Sequence, residues 1–190
     1  MKETSKCKDM RAGRGDFTKY LVGHGIDIGA GDDPLVVERG SVLAWDLKDG
    51  DAQLMDGVAD NSFDFVYSSH CLEHMRDVPE ALRNWVRILK PGGFLYTVVP
   101  DYILYEKMTW PPMFNTDHKQ SFSFLVTRSM VRRDNHYHLE QDLFPLLKQY
   151  GLTVVDARLE DAAFNYNAGM YDQTFYTALS QLCIVAQKKA

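Results

Sequence analysis

The stretch "SFDFVYSSHCLEHMRDVPEALRNWVRILKPGGFLYTVVP", Ser62–Pro100, decides how this 190-residue chain is read. It opens on Phe63–Ser69, an aromatic and β-branched run that fits a strand. Asp77-Val78-Pro79-Glu80 then has the form of a capping-box helix start. Val78, Leu82, Trp85, Val86 and Leu89 recur at helical spacing. Pro91-Gly92-Gly93 stops that helix, and "FLYTVV" follows as a buried strand. Strand, helix and strand in this order predict a crossover unit of a parallel sheet.

Upstream, "GIDIGAGDDP" (Gly25–Pro34) reads as a short strand running into a glycine-rich turn. Asp33-Pro34 reads as the start of a brief helix ended by Gly40. "SVLAWD" (Ser41–Asp46) is the next strand, ending in an acid. Downstream, Leu139, Leu143, Leu146, Leu147 and Tyr150 mark a second helix ending at Gly151. "LTVVDARL" and "QLCIVAQ" supply two last strands. The expected class is a layered α/β fold with a largely parallel sheet. All 190 residues are read as one domain, with residues 1–20 a loose lead-in. Periodicity fails over residues 101–137, which are read as a lid or binding insertion over the substrate.

Composition narrows the function. A formal charge of −5 is the wrong sign for a nucleic-acid binder, and Arg132-Arg133 reads as a lone solvated basic pair. No apolar run approaches membrane-spanning length, and the first residues lack a hydrophobic signal core. Three scattered cysteines argue against a disulfide framework, so the expected location is the cytoplasm.

Asp27-x-Gly29-x-Gly31 at a strand end lets backbone approach a ligand, and Asp46 at the next strand end suits a carboxylate on ribose hydroxyls. The bland alternative is a tight turn and an ordinary loop acid. Pro34 occupies the last position of a G-x-G-x-x-G fingerprint, which weakens a nicotinamide oxidoreductase without removing it as an alternative.

Taken together, "IDIGAG", "WD", "DGDAQ", "SFDFVYSSHCLEHM" and "RILKPGGFLYTVVP" resemble the class I S-adenosylmethionine-dependent methyltransferases, in their type 11-like methyltransferase-domain subgroup. The resemblance covers roughly residues 22–100. It implies a three-layer, Rossmann-like, mostly parallel sheet whose last strand is antiparallel. It also implies S-adenosylmethionine as cofactor: Asp27, Gly29, Ala30 and Gly31 at the methionine end, Asp46 and Leu47 at the ribose. Asp51, Ala52 and Gln53 would border the adenine, and Ser68 and Ser69 the sulfonium. Only four residues separate Asp46 from Asp51, so the third strand and the helix before it are expected to be reduced or missing.

His70, Glu73 and His74 then lie beyond a strand tip, beside the transferred methyl. A zinc protease would need this motif on a long helix, which Asp77 and Pro79 forbid. Three readings stay open. The polar side chains cap and pack the following helix. Alternatively, His74, His118 and His70 are bases for an acceptor hydroxyl, with Asp117 orienting His118. The third, set behind these, is a divalent metal on His70, Glu73, His74 and His118, a cluster akin to one some family members carry. Trp110 and Phe114 either line an acceptor pocket or seal the insertion to the sheet. Phe164, Tyr166, Tyr171 and Tyr176 close the far side or only pack. The expected reaction is methyl transfer to an oxygen of a small-molecule or saccharide acceptor; the alternative from another class is a cofactor-binding module without chemistry.

Overall fold

The structure, a computed structural model, describes residues 2–190. Three short helices, α1 (Glu3–Lys6), α2 (Lys8–Arg14) and α3 (Asp16–Lys19), lead into β1 (Gly23–Ile28). β2 (Gly40–Trp45), β3 (Phe63–Ser69), α4 (Val78–Ile88) and β4 (Leu89–Pro100) follow. The insertion carries β5 (Ser121–Ser123), α5 (Arg128–Val131) and β6 (His136–His138). α6 (Phe144–Gln149), entered through a π-turn over Leu139–Leu143, precedes β7 (Leu152–Glu160) and β8 (Gln181–Lys188).

The main sheet has the order β2-β1-β3-β4-β8-β7. The first four strands are mutually parallel, while β8 runs antiparallel to both β4 and β7. Period-two alternation sorts the strand side chains into two cores. Val66, Leu95 and Val99 face α4 and α6 on one side. Phe65, Tyr67, Tyr96 and Val98 meet Phe17 and Leu21 on the other.

The capping box at α4 forms in an altered way. The Asp77 carboxylate accepts from the Glu80 amide at 2.9 Å, as its place before Pro79 dictates. Glu80, however, does not reach back: the Gln53 side chain accepts from the Asp77 amide at 2.9 Å and donates to Glu80. Trp85 Nε1 and Asn84 Nδ2 donate to the Ala52 and Gln53 carbonyls. The segment after β2 is thereby clamped onto α4, and no strand forms between β2 and β3, as the short Asp46–Asp51 spacing implies.

Three expectations are corrected. Residues 3–19 are not a loose lead-in: they are helical, and Arg11, Asp16 and Phe17 are buried. The helix read from Asp33-Pro34 is absent. Leu35 N donates to the Asp27 carboxylate at 2.7 Å and Asp33 accepts from Ser5 N at 2.8 Å, so side chains rather than a helical ladder hold this segment. Arg133 is not a solvated charge: its guanidinium lies 4.1 Å from the Trp110 ring centroid and 4.6 Å from that of Tyr102.

Candidate functional site

The tips of β1 and β3 build the site. Gly29 and Gly31 have φ of 81° and 52°, the left-handed region that favours glycine. A Cβ on Gly29 would sit 2.6 Å from the Cβ of Cys71, so the tip of β1 can approach β3 only without a side chain. Gly29 N and Ala30 N both donate to the Trp45 carbonyl, which draws the end of β2 against this turn. Asp27 is buried beneath it, and burial pushes its carboxyl up to about 7.

A cavity of about 370 Å³ opens at this point, lined among others by Gly29, Ala30, Gly31, Ser69, His70, Glu73, His74 and His118. Ser69 Oγ is buried with no hydrogen-bond partner. Ser68 is turned away, its hydroxyl donating to the Ile28 carbonyl at 3.0 Å. Asp46, Leu47, Asp51, Ala52 and Gln53 do not line the cavity. Asp46 lies at its edge, 3.9 Å from where a Gly31 Cβ would stand, and Leu47 is 93% exposed. Asp51 pairs with Arg76 at 2.7 Å, and that hydrogen bond holds its carboxyl below the usual range. The Gln53 side chain is engaged at the start of α4.

At the other wall, "SSHCLEHM" gives one 3₁₀ turn, Leu72–His74, entered through His70 with φ of 54°. This geometry turns Glu73 inward, where it is fully buried with both carboxylate oxygens unpartnered. Three imidazoles surround its Oε1: His70 Nδ1 at 3.6 Å, His74 Nε2 at 3.9 Å and His118 Nε2 at 3.9 Å. Their other ring nitrogens are taken. His70 Nε2 meets Gln181 Oε1 at 2.9 Å, and since the Gln181 amide donates to Glu160, that oxygen must accept. His74 Nδ1 donates to Asp117 at 2.8 Å, and His118 Nδ1 to Glu106 at 2.5 Å.

Each neutral ring therefore presents a lone pair, not a proton, to the carboxylate. Four acceptors converge with no donor among them, an arrangement that positive charge alone relieves. The His118 imidazole responds in that sense: burial pushes it down, but the Glu106 hydrogen bond and the Glu73 and Glu106 charges leave it raised. Glu73, His74 and His118 offer ligand atoms within 4.8 Å of one another.

The sequence brought His70, His74 and His118 to one place, but the Asp117–His118 dyad is not formed. Asp117 serves His74, and the partner of His118 is Glu106, which the sequence reading missed. Glu106 stands twelve residues from His118, in the insertion that lacks periodicity, and no local spacing signals the pair. Trp110 stacks on Arg133 rather than lining the cavity, and Phe114 packs edge-on to Tyr105 at 5.9 Å. Tyr166, Tyr171 and Tyr176 remain half or more exposed. His136 is buried, bonded to Ser121 and the Val126 carbonyl. Among the described residues, no helix is long and apolar enough to cross a membrane.

Comparison with known proteins agrees with this geometry. The family model described as a methyltransferase domain matches residues 9–97. Over an alignment of 130 residues the chain is 28% identical to the biotin biosynthesis bifunctional protein BioHC of Cellvibrio japonicus, covering 63% of this chain and 25% of that protein. The chain thus spans about a quarter of the length of this curated relative. Among solved structures, a SAM-dependent methyltransferase of Archaeoglobus fulgidus superposes with a TM-score of 0.59 at 15% identity, covering 99% of this chain and 95% of its own. The YcgJ protein of Bacillus subtilis gives 0.55 at 12% identity, covering 98% and 99%. At such identities these two structures speak for the fold.

Proposed function

Because the chain belongs, through residues 9–97, to the methyltransferase-domain family of the class I S-adenosylmethionine-dependent enzymes, we propose that it methylates an oxygen of a small-molecule or sugar-containing acceptor. The single observation that carries this reading is one cavity with two unlike walls. On one side lies the glycine turn that follows β1; on the other, the buried Glu73 ringed by three imidazole lone pairs. Family membership also removes the ground for a nicotinamide oxidoreductase.

The chain's residues fit S-adenosylmethionine, because Gly29 and Gly31 present bare backbone to the cavity and the Ser69 hydroxyl beside them is buried without a partner. Once bound, the cofactor supplies a methyl group activated by its sulfonium. The Gly29–Gly31 turn and Ser69 would hold its amino-acid end, and Asp46, beside Gly31, would meet the ribose. Alignment of acceptor, methyl and sulfur is the chain's main contribution.

The acceptor hydroxyl must also give up its proton as it attacks, and the opposite wall meets that need. His70, Glu73, His74 and His118 would hold a divalent cation: the donor set of imidazoles and a carboxylate suits a borderline ion such as zinc. Asp117, Glu106 and Gln181 orient these imidazoles, as outer partners of metal ligands do. Such a cation would supply Lewis acidity that lowers the pKa of the acceptor hydroxyl, so that its proton would pass to solvent water as the oxygen attacks. The unpartnered Glu73 carboxylate supports the metal over the bare-base reading, and His74, His118 and His70 stay in the chemistry as its ligands.

The test is calorimetric binding of S-adenosylhomocysteine, followed by transfer of labelled methyl to a panel of hydroxylated small molecules and glycosides, before and after chelation. Cofactor binding with transfer that falls on chelation and returns with one divalent ion supports the whole reading. Transfer indifferent to chelation removes the metal. Cofactor binding with no transfer, together with a metal bound at Glu73, leaves a binding module.

A further inference from the structure

A second cavity, of about 500 Å³, opens in the insertion between Tyr102, Met108, Trp110, Met130 and Arg133. Its walls are apolar or aromatic, and Arg133 is the one charged side chain among its lining residues. That guanidinium is sandwiched between the Trp110 and Tyr102 rings. Nη2 donates to Ser121 Oγ at 2.6 Å, while Nε and Nη1 are buried without partners.

The hydrogen bonds that lead away from Arg133 carry no negative charge. Ser121 Oγ donates in turn to His136 Nδ1 at 2.8 Å, and His136 Nε2 donates to the Val126 carbonyl at 2.6 Å. This chain has one consistent direction, from guanidinium to carbonyl, and it requires His136 neutral. No carboxylate among the described residues lies within ion-pair distance of Arg133; its neighbour in sequence, Asp134, is exposed and the Glu106 carboxylate pairs with His118. A desolvated cation without a counter-ion is costly, and natural sites of this kind are completed by an anion.

We propose that this cavity is an acceptor subsite that reads a carboxylate attached to an apolar, planar body, with Arg133 as the anion-binding residue and Trp110 and Tyr102 as its aromatic walls. Arg133 is the one charged donor in the lining, which matches a monoanion, and the Tyr102 hydroxyl is spent on the Met108 carbonyl at 2.8 Å. A phosphate dianion would need additional donors. Glu106, from the same insertion, belongs to the methyl-transfer cavity, where it holds His118. The assignment of the ligand as the acceptor rests on the methyltransferase reading; the anion site itself does not.

Benzoate and its neutral isostere benzamide are the probes, titrated into the full-length protein and read through quenching of Trp110 fluorescence, with a W110F control. Benzoate is expected to bind at least tenfold more tightly than benzamide. R133Q should lose that preference, R133K should retain part of it, and affinity for S-adenosylhomocysteine should be unchanged in both. Equal binding of the two probes by the wild type, or undiminished preference in folded R133Q, overturns the proposal. If R133Q does not fold, the wild-type comparison decides alone. Arg133-dependent benzoate binding in a protein that binds no S-adenosylhomocysteine would keep the anion subsite and break the methyltransferase reading instead.

Discussion

Glu73 is the residue on which the site turns. A carboxylate that is fully buried, accepts no hydrogen bond and faces three lone pairs destabilises the fold unless a cation joins it. Replacing Glu73 by Gln removes the charge and supplies two donors to those lone pairs. The metal-free variant is therefore expected to be more stable than the metal-free wild type by about 1–3 kcal/mol, measured by denaturant unfolding. It should also lose the thermal shift that zinc gives the wild type. A destabilised E73Q protein would mean that the carboxylate is already neutralised without a metal, by a proton on a neighbouring imidazole such as His118. Asp27 supplies a second prediction at this scale. Its folded pKa lies near 7 against an ordinary 3.8, so the folded state holds a proton that the unfolded chain has already lost. Its contribution to stability is full below about pH 4 and declines as pH rises to 7, by about 4 kcal/mol at 1.36 kcal/mol per pKa unit. Unfolding of cofactor-free D27N across that range should show a flatter profile than the wild type.

At the scale of elements, the helix over Val78–Ile88 connects two parts of the site. Its capping carboxylate, Asp77, accepts from Glu80 N, and its first turn grips Gln53. D77A should lose about 1 kcal/mol in thermal or denaturant unfolding, the usual worth of an N-cap. Since Asp77 N also donates to Gln53, the segment after β2 should loosen, visible as faster hydrogen exchange at Ala52–Leu54. This element was legible beforehand because every signal for it is local: cap, Pro in the first turn, apolar spacing and a Pro-Gly-Gly stop. The expected helix after Asp33 carried the same cap and Pro signals but did not form. There, two carboxylates outweigh local propensity: the buried Asp27 takes Leu35 N, and Asp33 turns to Ser5, 28 residues away. The site divides in the same way. Gly29, Gly31, His70 and His74 sit on local motifs and were legible. Glu106 and Gln181 were not, because each meets its histidine only through the tertiary fold.

The whole molecule is a six-stranded sheet that needs both faces covered, as largely parallel sheets do. α4 and α6 cover one face with familiar amphipathic spacing. The opposite face carries Phe65, Tyr67 and Tyr96, and what covers them is the N-terminal segment that composition had marked as a polar lead-in. Its polarity misleads because Glu3, Arg11 and Asp16 are themselves buried. Arg11 is 1% exposed and lies 5.1 Å from the Tyr67 ring centroid, with Nη1 on the Thr4 carbonyl. Asp16 accepts from Tyr96 Oη at 2.8 Å and from Arg158 Nη2 at 2.9 Å, which ties the segment to β4 and β7. Deleting residues 2–19 would expose two tyrosine rings and Val98, remove Phe17 from the core and leave Arg158 short of a partner. Those losses together approach the roughly 5–15 kcal/mol that holds a domain of ordinary stability. The truncated chain is expected to bind a hydrophobic dye and to lose its near-ultraviolet dichroism and its cooperative melt. A truncated protein that melts within a few degrees of the full chain would return the segment to the status of a tail, and with it the account of how the second face is sealed.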